Sequence, residues 1–514
     1  MIGTGQDSGA AMTSGRGVDI LVAGGGTAGW MAAAALARFA PPGSRLQLVE
    51  SEAIGTVGVG EATIPQIHLF NGALGLDEAE FLRETKGSFK LGISFDGWLH
   101  EGHSYMHAFG DVGQGVGLLP FQHYWLRARK LGLAKPLVRY SLNELAARTM
   151  RMQRGRPHPA AREMPYAYHF DAGLYAAYLR RYAEARGVVR HEGQIAHVER
   201  QGETGDIAAL VLDDGRRLAA DFFIDCTGFR ALLVGQALGT PFDDWSNWLP
   251  CDRAMAVPCE GGGDFTPFTR AIAREAGWQW RIPLQHRIGN GLVYSSAHLS
   301  DDEAASVLLA NLDGKATADP RPIRFTTGKR RRHWAQNCLA LGLAAGFMEP
   351  LESTSIHLVQ SAISRLLAIL PGGRGDPALA DYFNAQADFE WARIRDFLVL
   401  HYWANQRHGQ PFWDQVRNMD LPDTLAAKLD LWRAAGFIHR EHEELFTPVG
   451  WFQVLAGQGV AAHGYNPVAD ALGEADLARL LHETETSLVD QARAMPRHLD
   501  FLRDYIGQSQ GVPA

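Results

Sequence analysis

The glycine-rich stretch at residues 24–29 constrains this chain more than any other feature. An apolar run at residues 18–23 has the length of a buried strand, and an alanine-rich helix is predicted from Trp30 to Phe39. Between them, Gly24-Gly25-Gly26-Thr27-Ala28-Gly29 satisfies the pattern GxGxxG, which combines a tight turn, a close backbone approach and helix packing. A second strand at residues 46–50 completes a βαβ unit with a right-handed crossover. The sequence therefore predicts a Rossmann-like dinucleotide-binding fold.

Glu50 ends the second strand and supports this interpretation. It lies about twenty residues beyond the glycine turn, where a carboxylate can accept hydrogen bonds from an adenine ribose. The helix N-terminus would face the diphosphate. Two later strands, ending near Gly228 and Gly342, favour FAD over NAD because a long FAD needs further backbone contacts there. The alternative is a glycine-rich turn that binds no ligand.

Composition and charge exclude several classes of partner. The 514 residues are 46% hydrophobic and 21% charged, as is ordinary for a globular enzyme. A formal net charge of −8 argues against nucleic acid or an anionic membrane as the main partner. Four scattered cysteines and the lack of a long apolar stretch indicate a cytoplasmic protein. No metal site is predicted, since Gly102 interrupts the helix that the spacing of His100, His103 and His107 would need.

The order of predicted elements gives an α/β protein in three parts. Residues 1–16 are predicted to be a disordered tail. Residues 17–370 form the FAD-binding domain, interleaved with β-rich substrate segments at about 75–160 and 235–325. Beyond Pro371 the pattern is mainly helical, so residues 371–514 are predicted to be a helical substrate-binding module.

Four passages resemble the flavin-dependent tryptophan halogenase family. They are GGGTAGW at 24–30, GVGEATIP at 58–65, GWQWRIP at 277–283 and GLAAGFMEPLESTSI at 342–356. The resemblance extends from about residue 18 to about 370 and weakens in the helical part. It implies an enzyme that uses reduced FAD, oxygen and chloride or bromide to form hypohalous acid, which halogenates an indole-like aromatic.

Lys90 lies in a stretch, residues 89–95, whose odd positions are apolar, so a strand with one buried face is predicted. Lys90 then points to the other face, toward solvent or a cavity. Taken alone, the pattern favours an exposed lysine. The resemblance instead aligns Lys90 with the family's catalytic lysine, which orients hypohalous acid by a hydrogen bond or captures it as a haloamine. The sequence leaves both routes open.

Glu352 directly precedes a helix predicted from about Ser355. An acid at this position is favoured by the helix dipole alone, but Ser353 and Thr354 are better N-caps. By resemblance, Glu352 is the second catalytic residue, which stabilises positive charge on the attacked ring and helps to remove its proton. The backbone N–H groups of Thr354 and Ser355 are predicted to bind the halide, with the preference between chloride and bromide left open.

Four aromatic residues are candidates for the flavin and substrate sides of the site. Trp278 and Trp280 are typical core residues, and by resemblance they line the flavin side and discourage hydroxylation. Relatives that act on free tryptophan carry a tyrosine doublet in the helical region, and this chain has residues 443–452 there, including Trp451 and Phe452. These two are wall candidates, with core packing as the alternative. We therefore expect indole, or a larger indole-containing molecule, rather than free tryptophan.

Two other functions remain open from the sequence. A flavin-dependent aromatic hydroxylase would share the FAD fold, but the Trp-x-Trp passage and Lys90 argue against it. A non-catalytic FAD-binding protein would turn nothing over. The chain has one dinucleotide fingerprint, so the resemblance implies a separate flavin reductase as partner and suggests a homodimer.

Overall fold

A computed structural model describes residues 17–53, 60–157, 159, 161–261 and 265–508. Residues 1–16, residues 58–59 of the GVGEATIP passage and residues 509–514 lie outside these ranges. The strands are β1 (Asp19–Ala23), β2 (Arg45–Glu50), β3 (Gly60–Ala62), β4 (Ser88–Lys90), β5 (Gly92–Asp96), β6 (Ser104–Ala108), β7 (Ala167–Asp171), β8 (Val189–Glu192), β9 (Ile195–Arg200), β10 (Ile207–Leu212), β11 (Arg217–Ala219), β12 (Phe222–Asp225), β13 (Phe242–Asp244), β14 (Arg253–Cys259), β15 (Thr269–Arg274), β16 (Gly277–Pro283), β17 (Ile288–Tyr294), β18 (Arg321–Arg324), β19 (Gly328–Arg330), β20 (Trp334–Ala335), β21 (Cys338–Ala340) and β22 (Gly346–Phe347). The α-helices are α1 (Thr27–Phe39), α2 (Ile67–Leu74), α3 (Glu78–Glu84), α4 (Phe121–Lys130), α5 (Leu142–Arg148), α6 (Ala172–Glu184), α7 (Asp301–Ala310), α8 (Ser355–Ala368), α9 (Pro377–Trp403), α10 (Pro411–Arg417), α11 (Asp423–Ala435), α12 (Pro448–Gly457), α13 (Glu474–Ala494) and α14 (His498–Gln508).

The glycine turn follows a central strand of a six-stranded sheet. Strand β1 pairs in parallel with β12 and with β2, and β21 and β8 extend the parallel arrangement on either side. Ile20 and Val22 of β1 are buried, as expected where both faces of a parallel sheet are covered. Parallel strands end at the same edge of a sheet, so the turns after β1, β12 and β21 lie together. The predicted Rossmann-like α/β fold is confirmed.

Helix α1 fixes the geometry of this edge. It begins at Thr27, three residues before the predicted start. Its buried residues 32–35 are all alanines, whose small side chains let neighbouring helices approach closely. This allows α1 to pack against α6 and α8. Because α8 begins at Ser355, the same packing brings the Glu352 segment near the glycine turn.

A seven-stranded sheet forms the second layer, in the order β18-β14-β17-β16-β15-β5-β6. Strand β16 carries Trp278 and Trp280, pairs with β15 and β17, and is buried along its whole length. Strand β5 joins this sheet by parallel pairing with β15. The sheet therefore places the segment after Lys90 two strands from the Trp-x-Trp passage, with β15 between them.

The prediction of a single strand over residues 89–95 is wrong, because this stretch forms parts of two strands. The chain leaves β4 at Lys90 and enters β5 at Gly92, and these two strands belong to different sheets. Leu91 lies at the break, where its N–H donates to the Pro267 carbonyl (2.7 Å) and its carbonyl accepts from Phe109 N–H (2.9 Å). Non-local hydrogen bonds thus override the local alternation and place Lys90 at the junction of two sheets.

The end of the chain is mainly helical, as predicted. Helix α9 is 27 residues long, and α11 ends at Gly436, which adopts φ +61°. Helix α12 packs against β6, so the predicted wall segment comes to lie beside residues 104–108. Within the described ranges, no helix combines the length and apolarity that a membrane span requires.

Asn337 joins the small sheet β9–β10–β11 to the central sheet and offers a test of the fold. Its buried side chain accepts from Ile207 N–H (2.8 Å) and donates to the carbonyls of Ile207 (3.0 Å) and Asp221 (3.1 Å). Asn337→Ala is expected to lower the free energy of unfolding by about 1–3 kcal/mol, since buried backbone groups lose their partners. Urea unfolding followed by tryptophan fluorescence measures this. The exposed Asn418→Ala is the control, and an equal loss in both variants would contradict the assignment.

Candidate active site

The glycine turn has the geometry that its sequence predicts. Gly24 has φ +108°, and a Cβ there would lie 2.2 Å from the Cys226 carbonyl oxygen. A Cβ on Gly29 would lie 1.9 Å from the Gly24 carbonyl oxygen, so only glycine lets the helix pack on the turn. A Cβ on Gly26 would meet nothing within 4 Å. Gly26 therefore leaves open space in front of the helix N-terminus, where a diphosphate binds in such folds.

A cavity of about 470 Å³ extends from this turn, and we call it the cofactor cavity. It brings together most of the residues predicted to bind the dinucleotide, together with residues from the other passages that carry the family resemblance. Its lining includes Gly24, Gly25, Gly26, Thr27, Ala28, Glu50, Glu61, Gly228, Trp280, Gly342, Ser353 and Ser355. Gly29 lies behind the turn rather than in the lining. The donor set and the open glycine face fit a dinucleotide such as FAD.

Glu50 faces the cofactor cavity and is held in place by two neighbours. Its Oε1 accepts from Arg190 Nε (2.6 Å), and its Oε2 accepts from Trp30 Nε1 (3.3 Å). Gly25 must lack a side chain, because a Cβ there would lie 1.5 Å from the Glu50 Oε2. The carboxylate is thus oriented toward the region where a ribose would bind.

Backbone turns at Gly228 and Gly342 border the same cavity. Gly228 has φ +70° and Gly342 has φ +59°, so both occupy the left-handed region that favours glycine. A Cβ on Gly342 would lie 2.9 Å from the Ala28 Cβ. The turns after β12 and β21 therefore approach the glycine turn closely.

The two tryptophans of β16 have different surroundings. Trp280 lines the cofactor cavity, and Gly291 opposite must lack a side chain, because a Cβ would lie 2.0 Å from the Trp280 ring. Trp278 lies behind it, with its ring 6.2 Å from that of Trp280. Its Nε1 donates to Glu349 Oε2 at 2.7 Å. Of the two tryptophans, Trp280 thus lines the cofactor cavity and Trp278 packs behind it.

Lys90 is fully buried at the junction of the two sheets. Its Nζ donates to the Thr63 carbonyl (2.9 Å) and to Ser353 Oγ (2.7 Å), and it lies 5.4 Å from the centre of the Phe109 ring. Burial lowers the pKa of Lys90 to about 7, although the charge of Glu352 opposes this. Of the two orientations left open by the sequence, the structure shows the inward one. Ser353 connects the lysine to the wall of the cofactor cavity.

Glu352 is also buried, with 1% of its side chain exposed. Its Oε2 accepts from His107 Nδ1 and its Oε1 accepts from His401 Nε2, both at 2.7 Å. Burial alone would raise its pKa, but the two imidazoles lower the pKa of Glu352 to about 2. The carboxylate is therefore ionised and has fixed neighbours on both oxygens.

The start of helix α8 differs from the predicted capping pattern. Thr354 is the N-cap residue, but its side chain makes no capping hydrogen bond, and Ser353 adopts φ +58°. The Ser353 hydroxyl accepts from Lys90 instead of capping the helix. The first N–H groups of the helix, beginning at Ser355, have no partner within it. Ser355 lines the cofactor cavity, whereas Thr354 is buried.

The predicted wall residues separate into two environments. The Phe452 ring packs against Trp125 (5.4 Å) and Trp432 (6.1 Å), which is core packing. Trp451 packs edge-on against Phe397 at 4.8 Å. Phe397 in turn stacks on Phe446 at 3.8 Å. Trp451 belongs to this aromatic cluster beside Glu352 and its histidines, whereas Phe452 does not.

Several site residues were missed by the sequence analysis. His107 was considered only as a metal ligand, and His401 and Glu349 were not singled out. Glu349 accepts from Trp278 and from the Tyr402 hydroxyl (2.5 Å), and burial raises its pKa to about 7.

Glu61 was also missed. It lines the cofactor cavity, and burial raises its pKa to about 7 as well. The position of Glu61 in a glycine-flanked passage was the one available signal. Among the described residues, no group of three or more His, Cys, Asp or Glu is arranged to hold a metal ion.

Comparison with known proteins covers nearly the whole chain. The family model for tryptophan halogenase matches residues 19–474. The solved structure of Xcc4156, a flavin-dependent halogenase from Xanthomonas campestris, is 48% identical with a TM-score of 0.92, covering 95% of this chain and 99% of that one. BrvH, a flavin-dependent halogenase from Brevundimonas sp. BAL3, is 45% identical with a TM-score of 0.91 and the same coverage. Tryptophan 6-halogenase SttH from Streptomyces toxytricini is 34% identical over 92% of this chain and 95% of its own.

These relatives share more than the dinucleotide fold, because the similarity continues through the second sheet and the helical end. The hydroxylase and the non-catalytic binding protein are therefore not favoured. The flavin dependence of the relatives agrees with the FAD predicted from the glycine turn. This chain belongs to the tryptophan halogenase family and is a flavin-dependent halogenase, an enzyme of the oxidoreductase type.

Proposed function

We propose that this enzyme uses reduced FAD, oxygen and chloride or bromide to form hypohalous acid, and that Lys90 and Glu352 direct its halogen to a neutral indole-like aromatic. The supporting observation is the burial of both side chains beside the cofactor cavity, to which Ser353 links Lys90. Because bulk water is excluded from the buried amine and carboxylate, they can act on a reactive halogen species before it diffuses away.

The chain's own residues account for binding of FAD. Gly26 and the N-terminus of α1 would hold the diphosphate, and Glu50 would accept from the adenine ribose. Gly228 and Gly342 offer backbone close to the rest of the cofactor. When bound, reduced FAD supplies the electrons with which oxygen is activated to oxidise the halide. A separate flavin reductase is proposed as the source of those electrons, since the sequence has a single dinucleotide fingerprint.

Lys90 is proposed to control the hypohalous acid. The Thr63 carbonyl and Ser353 hydroxyl fix its Nζ, so the group that meets the halogen species is held in one place. A pKa of about 7 makes both the ammonium and the neutral amine accessible near neutral pH. The ammonium can orient hypohalous acid by a hydrogen bond. The neutral amine can attack the halogen and release water, which forms a haloamine.

Glu352 is proposed to stabilise the positive charge that develops on the attacked ring. Its pKa of about 2 keeps it anionic at any working pH, and burial strengthens its electrostatic effect on a nearby cation. The two imidazoles hold it in one orientation before the substrate arrives, so little reorganisation is needed during the reaction.

The halide is proposed to bind at the start of α8. The N–H groups of Thr354 and Ser355 lie where a helix presents its positive end, and Ser355 borders the cofactor cavity. A halide in this place would be next to the cofactor and one residue from Ser353, the partner of Lys90. The halogen would then travel only a short distance from the place where it is oxidised to Lys90.

The proposed substrate is a neutral indole-like aromatic because the neighbouring wall is apolar. Phe397, Phe446 and Trp451 pack together on the His107 side of Glu352. A cation beside this cluster, Lys428, lies 5.2 Å from the Trp451 ring, but both oxygens of Glu444 already bind it, at 2.8 and 3.1 Å. The carboxylate of an amino acid would have to displace Glu444 to be paired here.

Lys90→Ala is expected to abolish halogenation while FAD binding survives, because Lys90 borders the cofactor cavity only through Ser353. The assay supplies indole, bromide, FAD and a generic flavin reductase, and detects brominated product by its isotope pattern. Lys86→Ala, on the same segment but exposed, is the matched control and should keep full activity. A Lys90→Ala variant that still brominates indole would remove Lys90 from the mechanism.

Stability should depend on pH through Lys90. Its pKa falls from 10.5 to about 7 on folding, so between pH 7 and 10 the unfolded chain binds more protons at this residue. Wild-type stability therefore gains with rising pH in this interval, relative to a variant that lacks the amine. We expect the melting temperature of wild type minus that of Lys90→Met to increase from pH 7 to pH 10. The exposed Lys86→Met is the matched control. A difference for Lys90→Met that rises no more than the difference for Lys86→Met would refute burial of the amine.

Charge on the substrate should be penalised. We expect kcat/KM for 3-methylindole to exceed that for L-tryptophan by about tenfold or more, since an unpaired carboxylate in an apolar site costs well over 1.4 kcal/mol. Both compounds are indoles substituted at the same carbon, so the comparison isolates the charged groups. Equal values for the two would show that the site provides partners for an amino acid.

A further inference from the structure

A chain of hydrogen bonds passes through Glu352 and ends at His107. The Tyr105 hydroxyl bonds to His401 Nδ1, His401 Nε2 bonds to Glu352 Oε1, and Glu352 Oε2 bonds to His107 Nδ1, each at 2.7 Å. The four side chains come from β6, the turn before α8, and α9. Such a chain fixes which nitrogen of each imidazole carries a proton.

His401 has a fixed, neutral role in this chain. It is fully buried, and burial lowers its pKa although Glu352 opposes this. With His401 neutral, the Tyr105 hydroxyl donates to Nδ1, and the remaining proton on Nε2 is donated to Glu352. Both ring nitrogens of His401 are thereby occupied, so this residue positions Glu352.

His107 has one ring nitrogen free for chemistry. Its Nδ1 donates to Glu352, whereas its Nε2 makes no hydrogen bond to any residue that the structure describes and is not sealed from solvent. The His107 side chain is 11% exposed, compared with 1% for Glu352 and none for His401. A carboxylate on one side of an imidazole and an open nitrogen on the other is the arrangement of a general base.

The surroundings of His107 place it beside the aromatic cluster. Its ring lies 5.4 Å from that of Phe397 and 6.0 Å from that of Phe446. Helix α12 approaches the imidazole at Gly450, where a Cβ would lie 2.8 Å from Nε2. A residue larger than glycine at position 450 would therefore crowd Nε2.

We propose that His107 is the catalytic base that removes the proton from the halogenated ring, with Glu352 as the residue that orients it. The C–H bond at the halogenated carbon breaks, and its electron pair returns to the ring. The proton passes to Nε2 of His107, and the resulting imidazolium, stabilised by Glu352, then releases it to water. This inference rests on the proposed function, which places an aromatic ring beside Glu352.

The hydrogen bonds of Glu352 explain why it would not take this proton itself. Both of its oxygens already accept from imidazole N–H groups, so protonation would weaken two charge-assisted bonds in a buried site. Transfer to His107 keeps the carboxylate ionised and adds a positive charge directly next to it. The same carboxylate can therefore stabilise first the cationic ring and then the imidazolium.

Two substitutions of His107 separate its two roles. In His107→Asn the amide nitrogen occupies the place of Nδ1 and can still donate to Glu352, but no base remains. In His107→Gln the amide reaches the place of Nε2, and the donor to Glu352 is moved. His100→Gln, an exposed histidine of the same hairpin, is the control. FAD binding and the melting temperature of each variant show whether it is folded.

The readout is the deuterium isotope effect on bromination, with indole and ring-deuterated indole in competition. Loss of the base should make C–H cleavage slow, so His107→Asn should brominate about tenfold or more slowly and show a primary isotope effect that wild type and His100→Gln lack. His107→Gln should be slower still. A purely structural role of His107 would slow both isotopologues equally.

Two results would overturn this role of His107. One is a His107→Asn variant with the wild-type rate, and the other is a slow variant whose isotope effect equals that of wild type. In either case the halogenase proposal survives, because wild type still forms bromoindole. Failure of wild type to brominate any indole would overturn the proposed function instead.

Discussion

The buried nitrogen of Lys90 is the interaction on which the rest of the site depends. It lies where the chain passes from one sheet to another, and its two partners come from opposite sides: Thr63 follows β3, and Ser353 precedes α8. Ser353 meets the lysine only by adopting φ +58°, a conformation that costs a non-glycine residue of order 1 kcal/mol. The bend before α8 that places Glu352 is thereby tied to the same point. One buried amine thus helps to fix the positions of the Glu352 carboxylate and of the helix start.

The parts of the fold that local geometry decides could be predicted from the sequence. The turn at Gly24 and Gly29 allows no other residue type, because a Cβ at either position would collide with backbone. The βαβ unit and its dinucleotide site could likewise be inferred from the order of strand, glycine turn, helix and Glu50. Lys90 was different: its local pattern allowed solvent or a cavity, and only the resemblance to a known family favoured the cavity.

The remainder depends on contacts between distant segments, which no local pattern records. The break at Leu91 arises from bonds to Pro267 and Phe109, so the alternation of residues 89–95 suggested one strand where there are two. The partners of Glu352 come from β6 and α9, and neither His107 nor His401 lies in a motif. Serine is a favoured N-cap residue, but the Ser353 hydroxyl accepts a hydrogen bond from Lys90 instead of capping the helix. Tertiary hydrogen bonds overrode local preference in each case.

Lys90 and Glu352 are both buried but have opposite kinds of partner, and this difference determines their charge states. Lys90 bonds to neutral oxygens, so burial dominates and its pKa falls toward neutrality. Glu352 bonds to two imidazole N–H groups, so its charge is stabilised in spite of burial. Had the two side chains formed a direct ion pair, each would have stabilised the other's charge, and the amine would have remained protonated. Because the histidines bond to the carboxylate instead, Lys90 can be protonated or neutral near pH 7, whereas Glu352 stays ionised. That combination suits the proposed roles, in which the amine controls an electrophilic halogen and the carboxylate then stabilises a cationic ring.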